Sequence, residues 1–375
     1  MRVVVVSFDA VSDTNFMQMA SIYPNIRRYA DHSTLTLGVS TVFLSNTYPV
    51  HTSIATGVLP SQHGIRSNIE QGLWVCDSRR IQTPTLWDKV KAKRLTCGAV
   101  LWPVTGYAQI KYNVPEMHIR PGQNQLFENL RAGSFFFQLK VFIRHRKRLH
   151  GIIQPYLDDF VTTIVTDLIR KRSVDLTLIH LTAYDDDVHR HGVEGAEYRD
   201  GAKSLDQNLG RILDATTKDD VVIVFSDHAQ FSVQETIDLN KRFALSERHD
   251  LSYNLKGYFD LCGGSAFYLG KDELSPALRD EIASKPWFER FLTTAEIQDA
   301  GYARDCALGI AARIGFRFGD EQLSERADHG YPLDYPDYKV FYGINDSPNK
   351  PVQRNGGHVF DITAMIESIL ELNEL

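Results

Sequence analysis

The chain has 375 residues, 43% of them hydrophobic and 23% charged, the proportions of a soluble globular enzyme with a sizeable core. Its formal net charge of -6 supplies no global positive field, which argues against a nucleic-acid polymer as partner. Cys76, Cys97, Cys262 and Cys306 are scattered and form no CxxC pair, which excludes a cysteine zinc site and a disulfide framework.

Arg2 to Phe8 (RVVVVSF) reads as a buried strand with Asp9 at its end. Its four valines are too few for the apolar core of a signal peptide. No run elsewhere approaches the length of a membrane span, so a cytoplasmic protein without a membrane partner is expected. Thr14 to Tyr29 has helical spacing, broken or restarted at Pro24, and Ser33 to Thr41 is a strand candidate. Pro49 suits the first turn of a helix that Gly57 closes, so Thr47 stands at a helix N-terminus, where backbone N–H groups favour an anion. Thr83 to Lys93 predicts a helix and Thr96 to Leu101 a strand. In the stretch from Asn113 to His150, Phe135 to Phe137 and the cations Arg144, Arg146, Lys147 and Arg148 predict a helix with a buried aromatic stripe and a solvated basic face. The alternative use of those cations is to hold an anionic substrate.

Leu157 to Lys171 is an amphipathic helix leading into the strand Leu176 to Leu181, which ends at Asp185-Asp186-Asp187-Val188-His189. Tyr198 to Leu213 is a helix before the run Val221 to Gln230 (VVIVFSDHAQ), a buried strand that ends in Asp227 and His228. Strands and helices thus alternate from Met1 to Gln230. That predicts an α/β fold, a doubly wound, mainly parallel sheet with helices on both faces. Residues 253–323, with a helix over Pro286 to Ala300, are expected to form a small α+β insert between a catalytic core of residues 1–252 and its return over residues 324–375. The return carries Asp328-His329-Gly330-Tyr331, a strand at Lys339 to Ile344 and a helix at Asp361 to Leu372. The pattern sets no oligomeric state.

Ligands of α/β sheets bind beyond the carboxyl ends of the strands. Collected there and in the following loops are Asp9, Thr47, Asp185, His189, Asp227, His228 and His329. Carboxylates and imidazoles are the ligand types of zinc and related ions. Three acids in one cleft would raise each other's pKa unless cations lay among them, and two divalent ions would remove that penalty. Taken singly, each residue has an ordinary use, such as Asp9 as a cap, Thr47 as an N-cap or His329 in a turn, and the residues alone do not say which of Asp185, Asp186 and Asp187 is the ligand.

The motifs together resemble the type I phosphodiesterase/nucleotide pyrophosphatase family, within the alkaline phosphatase superfamily. They are Ser7-Phe8-Asp9-Ala10, Thr47-Tyr48-Pro49-Val50-His51, Thr56-Gly57, His63-Gly64-Ile65, Asp185 with His189 and Gly192, Ser226-Asp227-His228, and His329-Gly330-Tyr331. The resemblance implies two metal ions, most readily zinc, one held by Asp185, His189 and His329 and the other by Asp9, Asp227, His228 and the Thr47 oxygen. It implies that Thr47 is a nucleophile that takes the phosphoryl group covalently, that Asn68 binds a phosphoryl oxygen, and that Tyr48 stacks on a nucleoside base. The implied substrate is a small-molecule phosphoester, such as a nucleotide. Val50 and Ala229 depart from the family's asparagine and glycine, which affects the pocket's shape more than the chemistry. Three other readings compete: a phosphonoacetate hydrolase, a phosphomutase, and an inactive binding protein that kept the fold.

Overall fold

The valines of the first strand alternate between two cores. Val4, Val6 and Phe8 pack with Phe16, Ile164 and Leu205, whereas Val3 and Val5 pack with Ile54, Trp87 and Ile362. A strand buried on both faces needs a helix layer on each side, and each such valine contributes ~1.5–2 kcal/mol of burial. The computed structural model describes residues 1–70, 72–120, 122–148, 150–151, 153–243, 257–270, 274–346 and 352–372. Among them the central sheet has eight strands, in the order Val352–Asn355, Thr34–Val39, Val340–Ile344, Asp220–Ser226, Arg2–Phe8, Leu176–Leu181, Cys97–Val100 and Tyr112–Val114.

The sheet is mainly parallel. Arg2–Phe8 lies between Asp220–Ser226 and Leu176–Leu181 and runs parallel to both, and only Val340–Ile344 runs against its neighbours. Helices Asp13–Ile22, Tyr156–Arg170 and Asp200–Ala215 cover one face; Thr47–Thr56, Leu86–Ala92 and Phe360–Ile369 cover the other. The doubly wound expectation holds. The predicted break at Pro24 is a restart: one helix ends at Ile22 and the next begins at Pro24, where the missing N–H does no harm.

The register brings three strand ends level. Phe8 stands opposite Leu181 on one side and Ser226 on the other. Asp9 and Asp227 therefore leave adjacent strands at the same height. From Leu181 the chain turns at once into the helix Ala183–His191, whose i, i+4 spacing puts Asp185 and His189 on one face. That turn is held by buried Asp158, which accepts the N–H groups of Thr182 (3.1 Å) and Ala183 (2.9 Å). Burial pushes the Asp158 carboxyl up to about 6 against these hydrogen bonds.

Beyond the central sheet, Gly257–Cys262, Ser265–Gly270, Cys306–Ala312 and Phe288–Phe291 form an antiparallel sheet in that order. The expected start of the insert, at 253, lies outside the described residues. A second small sheet joins Gly315–Phe318, Phe231–Ile237 and Ala327–Asp328, so the chain on both sides of the antiparallel sheet is tied together.

Two expectations are corrected. The helix predicted over Pro286 to Ala300 is instead the strand Phe288–Phe291 and a helix confined to Thr294–Asp299. Pairing with Cys306–Ala312 overrides helical spacing there, and a capping box of Thr293 and Glu296 starts the helix late. The aromatic stripe of helix Phe135–His145 is not buried: Phe135 is 50% and Phe136 84% exposed, while Gln138 and Val141 face inward.

Because Asp158 orients the turn that carries Asp185 and His189, Asp158→Ala should lower stability by ~2–3 kcal/mol, as two buried N–H groups lose a charged acceptor. Urea denaturation of the variant checks the value.

Candidate active site

The residues singled out from the sequence converge beyond the carboxyl edge of the central sheet. His228 is at the centre. Its Nε2 lies 3.2 Å from Thr47 Oγ1, 3.3 Å from Asp227 Oδ2 and 3.4 Å from Asp9 Oδ1. Its ring also stands 4.2 Å, centroid to centroid, from His329. Asp185, His189 and His329 form a neighbouring group whose ligand atoms all lie within 4.8 Å of one another, and Asp185 also falls within that distance of Asp9 and His228.

The local folding explains these positions. Thr47 opens a fully buried helix, Thr47–Thr56, which Gly57 ends in a left-handed conformation at φ 78°. Asn68 sits at that N-terminus and accepts the Tyr48 N–H at 2.8 Å. Asn46, just before the helix, accepts from His329 Nδ1 at 2.9 Å, which leaves Nε2 free for a ligand. The Ala327 carbonyl does the same for His189 Nδ1, also at 2.9 Å. Gly330 (φ 80°) makes the packing around His329 possible, since a Cβ there would meet the Cys262 carbonyl oxygen at 2.2 Å.

The electrostatics show what is missing. Asp9 Oδ1 and Asp227 Oδ2 are buried with no hydrogen-bond donor. Burial and the charge of Asp185 push the Asp9 carboxyl up to about 7, partly offset by His180. Burial and then Asp9 raise Asp227 well above the carboxylate range. Asp185 behaves oppositely: although burial opposes it, the neighbouring His189 holds it below its ordinary value. Burial and His329 together keep His228 neutral by lowering its pKa. Orphaned carboxylate oxygens facing a neutral imidazole and a hydroxyl are a donor set that fits divalent cations.

Tyr48 needs correction. Its ring is fully buried among Ile65, Val75, Cys76 and Val104, with its hydroxyl 3.3 Å from Glu116, so it offers no open face to a base. Trp74 lies against it at 5.4 Å and stacks in turn on His118 at 3.8 Å.

The site also includes residues that the sequence reading missed. His180, in the Leu176–Leu181 strand, places Nε2 3.0 Å from Asp9 Oδ2 and Nδ1 3.1 Å from Glu116. A histidine inside an otherwise apolar buried strand was the available signal. His51 is committed at both nitrogens, to the Thr47 carbonyl (2.8 Å) and Ser7 Oγ (2.9 Å), so it steadies the helix rather than offering a ligand atom. Gln230 donates its side-chain N–H to Asp185.

A mainly parallel, doubly wound sheet with ligand-type residues at its carboxyl edge is an alkaline phosphatase-like α/β fold. The type I phosphodiesterase / nucleotide pyrophosphatase family matches residues 3–277, and the chain belongs to that family; it is a hydrolase of the phosphodiesterase/pyrophosphatase type. Murine ectonucleotide pyrophosphatase / phosphodiesterase 5 superposes with a TM-score of 0.72 at 16% identity, over 100% of this chain and 96% of its own. An inactive threonine-to-alanine variant of that murine protein, in complex with AMP, gives 0.73 at 15% over the same shares of the two chains. Phosphonoacetate hydrolase from Sinorhizobium meliloti, in complex with phosphonoformate, gives 0.70 at 15% identity, over 99% and 96%. No curated protein sequence matches the chain significantly.

A buried carboxyl whose pKa is raised on folding lowers stability once the pH climbs above its unfolded value. In chelator-treated protein at mildly alkaline pH, Asp227→Asn should therefore melt a few degrees above wild type, since Oδ1 can still accept the Ala10 N–H (3.2 Å). If added divalent ion raises the wild-type melting temperature, the variant should show a smaller rise. Calorimetry with and without added zinc reads both effects.

Proposed function

We propose that the protein hydrolyses small-molecule phosphodiesters or pyrophosphates of the nucleotide type through a covalent phosphothreonine at Thr47. The observation that carries this reading is the position of Thr47 Oγ1. It is 3.2 Å from His228 Nε2, at the N-terminus of a buried helix, beside the carboxylates of Asp9 and Asp227, each with one oxygen that has no donor. Two divalent ions, zinc the most suitable, would be held by Asp185, His189 and His329 and by Asp9, Asp227, His228 and Thr47. Bound there, they supply Lewis acidity towards phosphoryl oxygens and neutralise the carboxylates.

This chain's own groups do the rest. Thr47 Oγ1 attacks phosphorus, the bond to the leaving oxygen breaks, and water later releases the phosphoryl group from the threonine. The Thr47 N–H and the side-chain amide N–H of Asn68, whose oxygen accepts the Tyr48 N–H, would stabilise the developing negative charge. The turn between strands Gly257–Cys262 and Ser265–Gly270, in the proposed small lobe, reaches the site: Gly264 N–H donates to the His329 carbonyl (2.8 Å) and Ser265 Oγ to that of Gly330 (2.7 Å). That contact supports a role in substrate choice. The cysteines are unpaired, which fits the reducing cytoplasm.

Thr47→Ala should lose nearly all turnover on phosphodiester substrates while keeping its fold and its metal, and Thr47→Ser should retain part of it. If Thr47 served only the helix start, the alanine variant would lose ~1 kcal/mol of stability with catalysis intact. Turnover, metal content and melting temperature of the two variants separate these outcomes. The same assay run on phosphonoacetate distinguishes a C–P hydrolase from a phosphoester hydrolase.

A further inference from the structure

Helix Phe135–His145 presents an apolar face that nothing among the described residues covers. Its inward side is Gln138 and Val141, with Phe137 edge-on to Tyr112 at 5.1 Å. Phe135, Leu139 and Ile143 form one outward row at i, i+4 and i+8, and Ile143 is 58% exposed. The adjacent row opens with Phe136, 84% exposed, and continues as Lys140 and Arg144. The preceding helix, Gln125–Ala132, adds exposed Leu126 and Phe127. Large apolar side chains left in water over two consecutive helices mark a contact surface.

Charge selects the partner. In a chain of net charge -6, residues 131–148 hold six cations (Arg131, Lys140, Arg144, Arg146, Lys147, Arg148) and no acid. Arg144 is engaged with Asp167 at 3.2 Å, whereas Lys140 and Lys147 have no acidic partner among the described residues. A second copy docking through this face would set cations against cations. A nucleic acid would find cations but no use for Leu139 and Ile143. An anionic bilayer meets both demands, taking the apolar row below its headgroups and the flanking lysines and arginines at them.

The geometry points to this helix as a peripheral docking surface for anionic phospholipid bilayers. No helix among the described residues is long and apolar enough to cross a membrane, so the attachment is interfacial and reversible. It requires nothing of the hydrolytic site and stands independently of the function proposed above.

The test is flotation of the full chain with vesicles of phosphatidylcholine alone or with about a third phosphatidylserine, at low and high salt. The protein should float with the anionic vesicles, stay behind with the neutral ones, and be released by high salt. Phe136→Ser with Leu139→Ser, and separately Lys140→Glu with Lys147→Glu, should each weaken binding more than roughly tenfold. All four side chains are exposed, so folding is unaffected; an unchanged melting temperature and turnover verify that. Absence of binding by wild type, or binding untouched by both pairs, overturns the proposal. A concentration-dependent dimer that Phe136→Ser dissociates, without vesicle binding, would overturn it in favour of a contact between copies.

Discussion

Three carboxylates and three imidazoles are packed into one cleft, and this charge problem governs the rest of the architecture. A parallel sheet supplies the cleft because neighbouring strands end at the same height. Asp9 and Asp227 are forced together by the register that aligns Phe8 with Ser226. Two like charges at such separation cannot both ionise without a nearby cation. The fold accepts this cost because the strands beneath bury their valines on both faces, and that burial is insensitive to what happens at the edge.

Around the cleft, backbone and amide groups fix what the charges cannot. His329 and His189 each spend Nδ1 on an oxygen, from Asn46 and from Ala327, and each presents Nε2 to the same space. The segments that hold them come from far apart: a helix start, the helix after the Leu176–Leu181 strand, and a return strand that passes beneath the small antiparallel sheet. The turn at Gly263-Gly264 presses on His329 so closely that a Cβ at Gly263 would lie 2.3 Å from its carbonyl oxygen. The lobe and the site therefore cannot be repacked separately.

Much of this was legible in the sequence because buried parallel strands are continuous apolar runs and end in polar residues. RVVVVSFD and VVIVFSDH announce both the strands and the acids beyond them. What failed did so for identifiable reasons. Helical periodicity shows which side chains share a face but not what covers that face, so the Phe135–Phe137 stripe was expected inside and Phe136 lies outside. Tyr48 follows the nucleophile in sequence, yet its helix turns the ring inward beneath Trp74. Phe288–Phe291 reads as helix until its partner strand, supplied by residues later in the chain, decides otherwise.

His180 escaped notice because an isolated strand histidine has no local pattern, yet it bears on both strand-end acids. Asp9 has an imidazole 3.0 Å away, and Glu116 at 3.1 Å holds that ring on its other side. Although burial opposes its charge, Asp9 and Glu116 raise the His180 pKa well above the ordinary range. Burial likewise opposes ionisation of Glu116, yet hydrogen bonds from His118 and His180 hold it down to about 2. Asp–His–Glu thus forms a compensated chain running outward from Asp9 to the exposed His118. Asp227 is eased by the same His180, though burial and Asp9 outweigh it. Its Oδ1 receives one N–H, from Ala10, and its Oδ2 none, with the His51 ring 3.5 Å away and already committed at both nitrogens. His180 offsets part of the cost of charge on Asp9 and on Asp227 alike, yet both carboxyls stay raised. The orphaned Asp9 Oδ1 and Asp227 Oδ2 lie 3.4 Å and 3.3 Å from His228 Nε2, on the side where Thr47 converges, and a cation bound there would relieve both.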